Sequence, residues 1–177
     1  MGKERDLITP GIDRAGGVWA DFGSGTGIFT LELRGLLGPT SEIYSIDRNG
    51  RDLGRQRQAF VQQYPGTKLH TIQADFTQQI ELPQLDGIVM ANALHIVHFA
   101  RQAEVLTRIA GYLRWPGGRF IIVEYNARSG NPWVPYPIDV ESFMLLAEQA
   151  GLSDYRMLTA VPSRFLREMY SALAYRK

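Results

Sequence analysis

A short glycine-rich loop between a strand and a helix is the sequence feature that most constrains the fold. Residues 18–22 (VWADF) predict a buried strand, and residues 23–27 (GSGTG) follow it directly. Apolar side chains then recur with helical spacing from Phe29 to Leu37, and Gly38-Pro39 ends that helix. Glycines let a ligand approach the backbone closely, and the N-terminus of the following helix offers free N–H groups to a negatively charged group. The loop therefore predicts a nucleotide-type site at the end of the first strand.

Strand-like and helix-like segments alternate along the rest of the chain. Helical spacing is clearest from Phe99 to Leu113, and Asp139 is a candidate N-cap for the last helix. This order predicts an α/β fold: a Rossmann-like, doubly wound, mainly parallel seven-stranded sheet with an antiparallel strand near the C-terminal edge. The further strands are predicted at residues 42–47, 68–74, 86–91, 119–125, 155–160 and 169–175.

Length and composition narrow the class of protein. A chain of 177 residues is expected to form a single domain, residues 1–177, in which residues 1–15 are a loose N-terminal extension. The absence of cysteine excludes disulfides, cysteine-bound metal sites and a thiol nucleophile. A net charge of +1 gives no general attraction for nucleic acid. With no apolar run of about 20 residues and no signal-peptide pattern, we expect a cytoplasmic protein without a membrane span.

The spacing of the glycines separates two kinds of nucleotide loop. A dinucleotide loop of an oxidoreductase has a third glycine where this chain has Ile28. The observed G-x-G-x-G, with Asp21 two residues before the first glycine, resembles motif I of the class I S-adenosylmethionine-dependent methyltransferases. An ordinary tight turn is the alternative for the glycines alone. However, the resemblance continues in order over roughly residues 15–177, at Asp47, at residues 74–76 (ADF), at 85–92 (LDGIVMAN) and at 113–125.

The resemblance implies that S-adenosylmethionine binds as methyl donor and leaves as S-adenosylhomocysteine. A carboxylate such as Asp47, at a strand end, can accept hydrogen bonds from both ribose hydroxyls, while Asp75 and Phe76 would frame the adenine. Taken alone, Asp75 is equally well an ordinary cap and Phe76 a core residue. The donor-binding residues implied by the resemblance are Asp21, Gly23, Ser24, Gly25, Thr26, Gly27, Asp47, Arg48, Asp75, Phe76 and Asn92, the last through its backbone.

Two residues are candidates for catalysis. Residues 92–98 resemble the segment that lines the acceptor pocket in small-molecule methyltransferases of the quinone-biosynthesis type. His95 in this segment is the candidate general base, since an unperturbed histidine titrates near ~6.5; a polar helix cap is the alternative role. Tyr125 ends a strand, at the edge where ligands bind in open α/β sheets. Metal-dependent methyltransferases of the catechol type hold a divalent ion with carboxylates at the end of the fourth strand. Here that position reads Met90-Ala91-Asn92, which offers no carboxylate, so we expect no metal.

The acceptor side is less well defined. Residues 127–138 predict a lid, in which Arg128 would neutralise an acceptor carboxylate while Trp133 and Tyr136 offer flat apolar surface. Core packing of Trp133 is the alternative. The short N-terminus lacks a cap of normal size. Either the pocket is open and takes something large, or a partner subunit, for example a second copy in a homodimer, closes it.

The resemblance implies methyl transfer to an O, N or C atom of a small-molecule acceptor by in-line displacement. Two alternatives stay open at this point: a non-catalytic donor-binding subunit of a complex, and a methyltransferase that acts on protein or RNA. Arg48, Arg51 and Arg55 share one helical face, but a solvated face explains them better than an RNA site does. There is also no proline after Asn92, unlike in enzymes that methylate exocyclic amines of nucleic acids.

Overall fold

The computed structural model describes residues 2–177, which alternate between strands and helices. Short 3-10 turns at Thr9–Gly11 and Leu94–Ile96 accompany the longer elements. The helices are α1 (Lys3–Ile8), α2 (Ile28–Leu37), α3 (Gly50–Gln63), α4 (Phe99–Ala110) and α5 (Val140–Gln149). The strands are β1 (Val18–Phe22), β2 (Glu42–Asp47), β3 (Lys68–Gln73), β4 (Gly87–Ala91), β5 (Arg119–Tyr125), β6 (Leu152–Pro162) and β7 (Glu168–Arg176).

All the strands lie in one sheet in the order β3-β2-β1-β4-β5-β7-β6. The first five are mutually parallel, and β7 enters antiparallel between β5 and β6. The predicted fold class is therefore confirmed. The chain order reverses at β1, which has β2 on one side and β4 on the other. In open α/β sheets this reversal creates a crevice at the carboxyl ends of the two central strands, where ligands bind.

Helices cover both faces of the central strands, so these strands carry apolar side chains on both sides. Every residue of β4 and β5 is buried, as expected for strands of a covered parallel sheet. Phe120 and Ile122 of β5 pack with α4 and α5, whereas Ile121 and Val123 pack with α1 and α2. Successive side chains of a strand point to opposite faces, so one strand contributes to two separate cores. Within residues 2–177, no helix has the length and apolar character that crossing a membrane requires.

The N-terminal segment differs from the expectation of a loose extension. Leu7 and Ile8 of α1 are completely buried, and α1 packs against α2 and β6. Gly11 lies so close to Ile121 that an added Cβ would be 2.7 Å from its Cδ1. The guanidinium of Arg119 pairs with Asp13, which ties the segment to β5. Two adjacent apolar residues are too few to give a helical period, and only the tertiary contacts show that they are core residues.

Candidate functional site

Two cavities lie side by side along the carboxyl edge of the sheet. The first has a volume of about 410 Å³ and lies between the glycine loop, α1, the end of β5 and the turn that joins β6 to β7. The second has a volume of about 320 Å³ and lies between the glycine loop and the segments after β2 and β3. Gly23 and Asn92 line both cavities. These two residues follow β1 and β4, so the cavities meet at the reversal of strand order.

The predicted donor-binding residues assemble around these cavities. Asp21, Ser24, Gly25 and Thr26 line the first cavity. The second cavity is lined by the predicted residues Asp47, Arg48, Asp75 and Phe76. Of the predicted set, Gly27 alone lines neither cavity. The structure thus brings together residues that are more than fifty positions apart in the sequence; their binding of a donor stays a prediction.

The three loop glycines are needed for two different reasons, although all of them have positive φ angles. A Cβ on Gly23 would lie 2.5 Å from the Cβ of Ala93, and a Cβ on Gly27 would overlap the side chain of Gln56. A Cβ on Gly25 would meet no atom of the described chain within 4 Å. Internal packing therefore requires glycine at positions 23 and 27, whereas the open space beside Gly25 belongs to the first cavity.

Asp47 fixes the glycine loop as well as lining the second cavity. Its Oδ2 accepts a hydrogen bond of 2.8 Å from the backbone N–H of Gly25, and its Oδ1 accepts one of 2.8 Å from the N–H of Asn49. Each carboxylate oxygen has a second lone pair that can accept another hydrogen bond. Asp47 is therefore positioned to hold the loop and a ligand hydroxyl at the same time.

The far wall of the second cavity combines an acid with apolar side chains. The Oδ1 of Asp75 accepts a 2.8 Å hydrogen bond from the N–H of Thr77, and this bond is the main reason that its pKa is lowered. Phe76 is buried and lies close to Gly23. Ile96 also lines the cavity, and its side chain is partly exposed. Ile96 was not singled out from the sequence, although it belongs to residues 92–98, the segment that resembles a pocket wall.

Asp21 is a buried carboxylate without a cation. It is 1% exposed, and the hydroxyl of Thr30 donates to its Oδ2 at 2.6 Å. Burial raises the pKa of Asp21 to about 7; the Thr30 hydrogen bond opposes this rise and the charge of Asp47 adds to it. Among residues 2–177, Asp21 has no ion-pair partner. A cationic group in the first cavity would restore the ordinary ionised state of this carboxylate.

Asn92 adopts a backbone conformation that side chains rarely take. Its φ angle is +51°, in the left-handed region, although it is not a glycine. Its N–H donates to the carbonyl of Val123 at 2.8 Å, which fixes the backbone. Its Oδ1 is buried and has no hydrogen-bond partner within the described chain. Such strained and unsatisfied residues cluster at functional sites, and this one lies where the two cavities meet.

His95 is held in a buried pair and lines neither cavity. Its Nδ1 lies 2.8 Å from Oε2 of Glu124, and its backbone N–H donates to Oε1 of the same carboxylate at 3.1 Å. Glu124 is completely buried. The neighbouring Tyr125 does line the first cavity, and its ring packs edge-to-face on the imidazole with the centroids 5.4 Å apart. Burial raises the pKa of the Tyr125 hydroxyl, so this group is a hydrogen-bond donor at neutral pH.

The structure differs from the expected lid at residues 127–138. Arg128 is exposed and forms ion pairs with Asp139 and Glu141, at 3.0 and 2.6 Å. Trp133 is 75% exposed, so it is not core filler either. Tyr136 packs against the rings of His98 and Phe99. None of the three predicted lid residues lines either cavity.

The outer wall of the first cavity comes instead from two distant parts of the chain. Lys3 and Glu4 of α1 lie on one side, and Arg164 and Phe165 of the β6–β7 turn lie on the other. Tyr125 of β5 pairs with Met169 of β7 in the antiparallel register, so the start of β7 must lie at the ligand edge. The sequence did predict an antiparallel last strand, and such a strand begins at the edge of the sheet where the parallel strands end. Closure by a partner subunit stays a prediction.

No three or more histidine, aspartate or glutamate side chains are grouped for metal binding among residues 2–177. The expectation of a metal-free site stays a prediction.

A family model described as a methyltransferase domain matches residues 20–120, which are more than half of the chain. The chain therefore belongs to this family. It is similar to the ubiquinone/menaquinone biosynthesis C-methyltransferase UbiE of Ectopseudomonas mendocina, with 26% identity over 133 residues, which are 75% of this chain and 51% of that protein. The corresponding protein of Hahella chejuensis is 27% identical over 139 residues, covering 78% and 55% of the two chains. The chain thus spans about half the length of these curated relatives. The predicted family is confirmed.

Solved structures of low sequence identity share the fold. YcgJ of Bacillus subtilis aligns with a TM-score of 0.78 at 13% identity, over 99% of this chain and 98% of that one. A 1,6-didemethyltoxoflavin-N1-methyltransferase of Burkholderia thailandensis, with S-adenosylhomocysteine bound, aligns with a TM-score of 0.72 at 17% identity, over 92% and 72%. Magnesium protoporphyrin IX methyltransferase of Synechocystis, with its donor bound, also has a TM-score of 0.72, at 16% identity over 92% and 71%.

Proposed function

We propose that this chain binds S-adenosylmethionine across the two cavities and transfers its methyl group to a small-molecule acceptor. The observation that carries the proposal is the junction of the two cavities, which Gly23 and Asn92 both line and where Asn92 has a strained backbone and a buried Oδ1 without a partner in the described chain. The curated relatives are C-methyltransferases of quinone biosynthesis, and a structural neighbour was crystallised with a small-molecule acceptor and the product of the donor. Their names support a small-molecule acceptor here.

The second cavity has the groups needed for adenosine. Asp47 would accept hydrogen bonds from the ribose hydroxyls with the lone pairs that Gly25 and Asn49 leave free. Phe76 and Ile96 provide apolar surface for a planar base. This arrangement also explains why Asp47 is held from two sides by backbone N–H groups: the carboxylate is oriented before any ligand arrives.

The first cavity has the groups needed for an amino acid. Asp21 is a buried carboxylate that needs a cation, and an ammonium group would provide one. The helix α2 begins at Ile28, which also lines this cavity. The first N–H groups of a helix have no partner within it and favour an anion such as a carboxylate. Gly25 leaves its side of the cavity open. A methionine moiety carries both charges, so the pocket matches it at both ends.

When bound, S-adenosylmethionine supplies an electrophilic methyl carbon: the acceptor atom bonds to this carbon while the carbon–sulfur bond breaks, and the sulfur keeps the electron pair of that bond. The residues of this chain contribute alignment and exclusion of water. Tyr125 donates a hydrogen bond into the first cavity from its protonated hydroxyl. His95 is the proposed final acceptor of the proton that leaves the substrate. Its imidazole lines neither cavity and packs on the ring of Tyr125, so the proton would have to pass through a group of the cavity wall such as the Tyr125 hydroxyl. Glu124 occupies Nδ1 of His95, which leaves Nε2 as the nitrogen that can take this proton.

Calorimetric titration of the purified protein with S-adenosylhomocysteine tests the proposal first. We expect one site per chain. The second step is incubation with S-adenosylmethionine and a panel of small aromatic and heteroaromatic acceptors, with release of S-adenosylhomocysteine as the readout. Absence of binding in the titration would overturn the proposal. Tight binding without turnover on small molecules, but with turnover on a protein or RNA fraction, would contradict the assigned acceptor class only.

A further inference from the structure

The turn between β6 and β7 is held in one conformation from inside and outside. Within the turn, the N–H of Ser163 donates to the carbonyl of Arg167 at 3.0 Å, and the N–H of Phe165 donates to the hydroxyl of Ser163 at 3.2 Å. From outside, the side-chain amide of Asn131 donates to the carbonyl of Phe165 at 2.9 Å. The segment predicted as a lid therefore supports the turn that forms the wall.

An aromatic surface faces the first cavity from this turn and from β5. The rings of Phe165 and Tyr125 lie edge-to-face with centroids 6.3 Å apart, and both side chains line the cavity. Phe165 is 41% exposed, so its ring has uncovered area beside the site. Two aromatic rings at right angles offer a flat face and an edge. A third planar ring can therefore pack by stacking on the face and by an edge-to-face contact, the two arrangements that aromatic rings prefer.

A cation without a partner completes this wall. The guanidinium carbon of Arg164 lies 4.8 Å above the centre of the Phe165 ring. Arg164 lines the first cavity and forms no ion pair within residues 2–177. The other ionisable groups of the cavity are Lys3, Glu4, Asp21 and Tyr125. Asp21 lies deep at the end of β1, where it would meet an ammonium, and the N-terminus of α2 would meet the donor carboxylate. Lys3 also forms no ion pair within residues 2–177, but of the two cavity-lining cations only Arg164 is stacked on an aromatic ring of the wall. Arg164 is therefore the better placed of the two for a different anion.

We infer that the acceptor is a planar aromatic acid, whose ring packs against Tyr125 and Phe165 while its carboxylate binds the guanidinium of Arg164. This inference rests on the proposed function, because it places the acceptor in the cavity that would also hold the methionine moiety. An arginine presents a rigid fork of N–H donors that matches a carboxylate and binds it in two places. Its position above Phe165 brings the charge and the ring surface within reach of one small molecule.

Binding of simple probes to the protein saturated with S-adenosylhomocysteine tests the inference without any turnover. The probes are benzoate, benzamide and cyclohexanecarboxylate, titrated with detection by nuclear magnetic resonance. Benzamide has the ring without the charge, and cyclohexanecarboxylate has the charge without the flat ring. We expect benzoate to bind about tenfold more tightly than either, the typical effect of one charge-assisted hydrogen bond. Equal binding of the three probes, or no binding of benzoate, would overturn the inference.

Variants of the turn identify the residue responsible. Arg164→Gln should reduce the preference for benzoate over benzamide to less than about twofold, because the charged partner is lost. Arg167→Gln is the matched control, since it removes the same charge from the same turn but Arg167 lines neither cavity. Phe165→Ala should remove the preference for the flat ring.

The same variants separate this inference from the proposed function. The affinity for S-adenosylhomocysteine should stay within about twofold in Arg164→Gln, as expected for a residue that does not touch the donor. A loss of tenfold or more in that affinity would mean that Arg164 holds the donor's own carboxylate, which would overturn the inference and leave the proposed function intact. Failure of the unaltered protein to bind S-adenosylhomocysteine would instead refute the proposed function.

Discussion

The carboxylate of Asp47 accepts a hydrogen bond of 2.8 Å from the backbone N–H of Gly25, and this bond joins the end of β2 to the loop after β1. One side chain thus shapes the loop and faces the second cavity. Replacing it should affect binding through both roles, because the loop loses its anchor and the ligand loses an acceptor.

Asp47→Ala should weaken binding of S-adenosylhomocysteine by about 1.5–3 kcal/mol, the range for a hydrogen bond to a charged group. Calorimetric titration measures this directly. Glu81→Ala is the control, since Glu81 is an exposed acid outside both cavities. Equal affinity of the Asp47 variant and the unaltered protein would show that the ribose does not bind here.

Gly25→Val should reduce the affinity for S-adenosylhomocysteine at least about tenfold, or ~1.4 kcal/mol, because the new side chain would extend into the first cavity. Gly66→Val is a matched control. Gly66 also has a positive φ angle and open space at its Cβ position, but it lies outside both cavities. Both variants therefore place a valine at a positive φ angle. A similar fall in affinity for the two variants would attribute the effect to strain instead of to the cavity.

Asp21 should make the stability of the ligand-free protein depend on pH. Its pKa is raised from 3.8 to about 7 in the folded state, so the folded state binds the proton more tightly than the unfolded state. The resulting stabilisation is complete below the unfolded pKa and is lost as the pH rises through about 7. Asp21→Asn removes this dependence. The free energy of unfolding of the variant, relative to that of the unaltered protein, should therefore rise between pH 4 and pH 8 by up to about 4 kcal/mol.

Urea unfolding of both proteins at pH 5 and pH 8, without ligand, checks this expectation. The variant should also bind S-adenosylhomocysteine more weakly at pH 8, because the carboxylate that would face the ammonium is gone. A stability difference that is the same at both pH values would contradict the raised pKa.

His95→Ala should lower turnover by about 10²–10⁴-fold if His95 accepts the proton of the acceptor, with nearly unchanged affinity for S-adenosylhomocysteine. The variant leaves Glu124 buried without its partner, so thermal unfolding must be measured in parallel. Glu124→Gln keeps the shape of the side chain but removes the charge and one of the two oxygens that hold His95, so it should lower turnover as well. A loss of only a few-fold in turnover per folded molecule would contradict proton acceptance by His95 and indicate a structural role.

Trp133→Ala should change the free energy of unfolding by less than about 0.5 kcal/mol, since the side chain is largely exposed. Asn131→Ala, two residues away, should lower it by about 1–2 kcal/mol, because Asn131 bonds to the carbonyl of Phe165 and accepts from the N–H of Val134. Thermal or urea unfolding compares the two. If Trp133→Ala is the more destabilising variant, Trp133 contributes to packing.

The glycine loop and the alternation of strands and helices sufficed to predict the sheet, because both are local patterns with a fixed period or spacing. The wall of the first cavity was not predictable in that way. Phe165 lies forty positions after Tyr125 in the sequence, and the two rings meet only because β7 enters the sheet antiparallel to β5. The cover provided by α1 depends likewise on contacts with α2 and β6, for which a six-residue helix carries no recognisable pattern.

His95 shows a different limit of the sequence. Its residue type and its place after β4 made it a candidate base, but neither property indicates that Glu124 is its partner or that the imidazole is buried. Glu124 follows four apolar residues of β5, from Phe120 to Val123, and its position one residue before Tyr125 turns it to the opposite face of the sheet from that ring. Only the packing of the loop after β4 against that face brings the two side chains together.

The late position of β7 in the chain has a consequence for synthesis on the ribosome. Strands β1 to β4 and the glycine loop emerge first, so the second cavity can form while β6 and β7 are still being made. Until β7 enters, β5 stands at the border of the growing sheet with its backbone groups on that side unpaired. It is also fully apolar in its centre, from Phe120 to Val123. An unpaired apolar border promotes pairing between chains, so a nascent chain that stalls before residue 168 should be prone to aggregation.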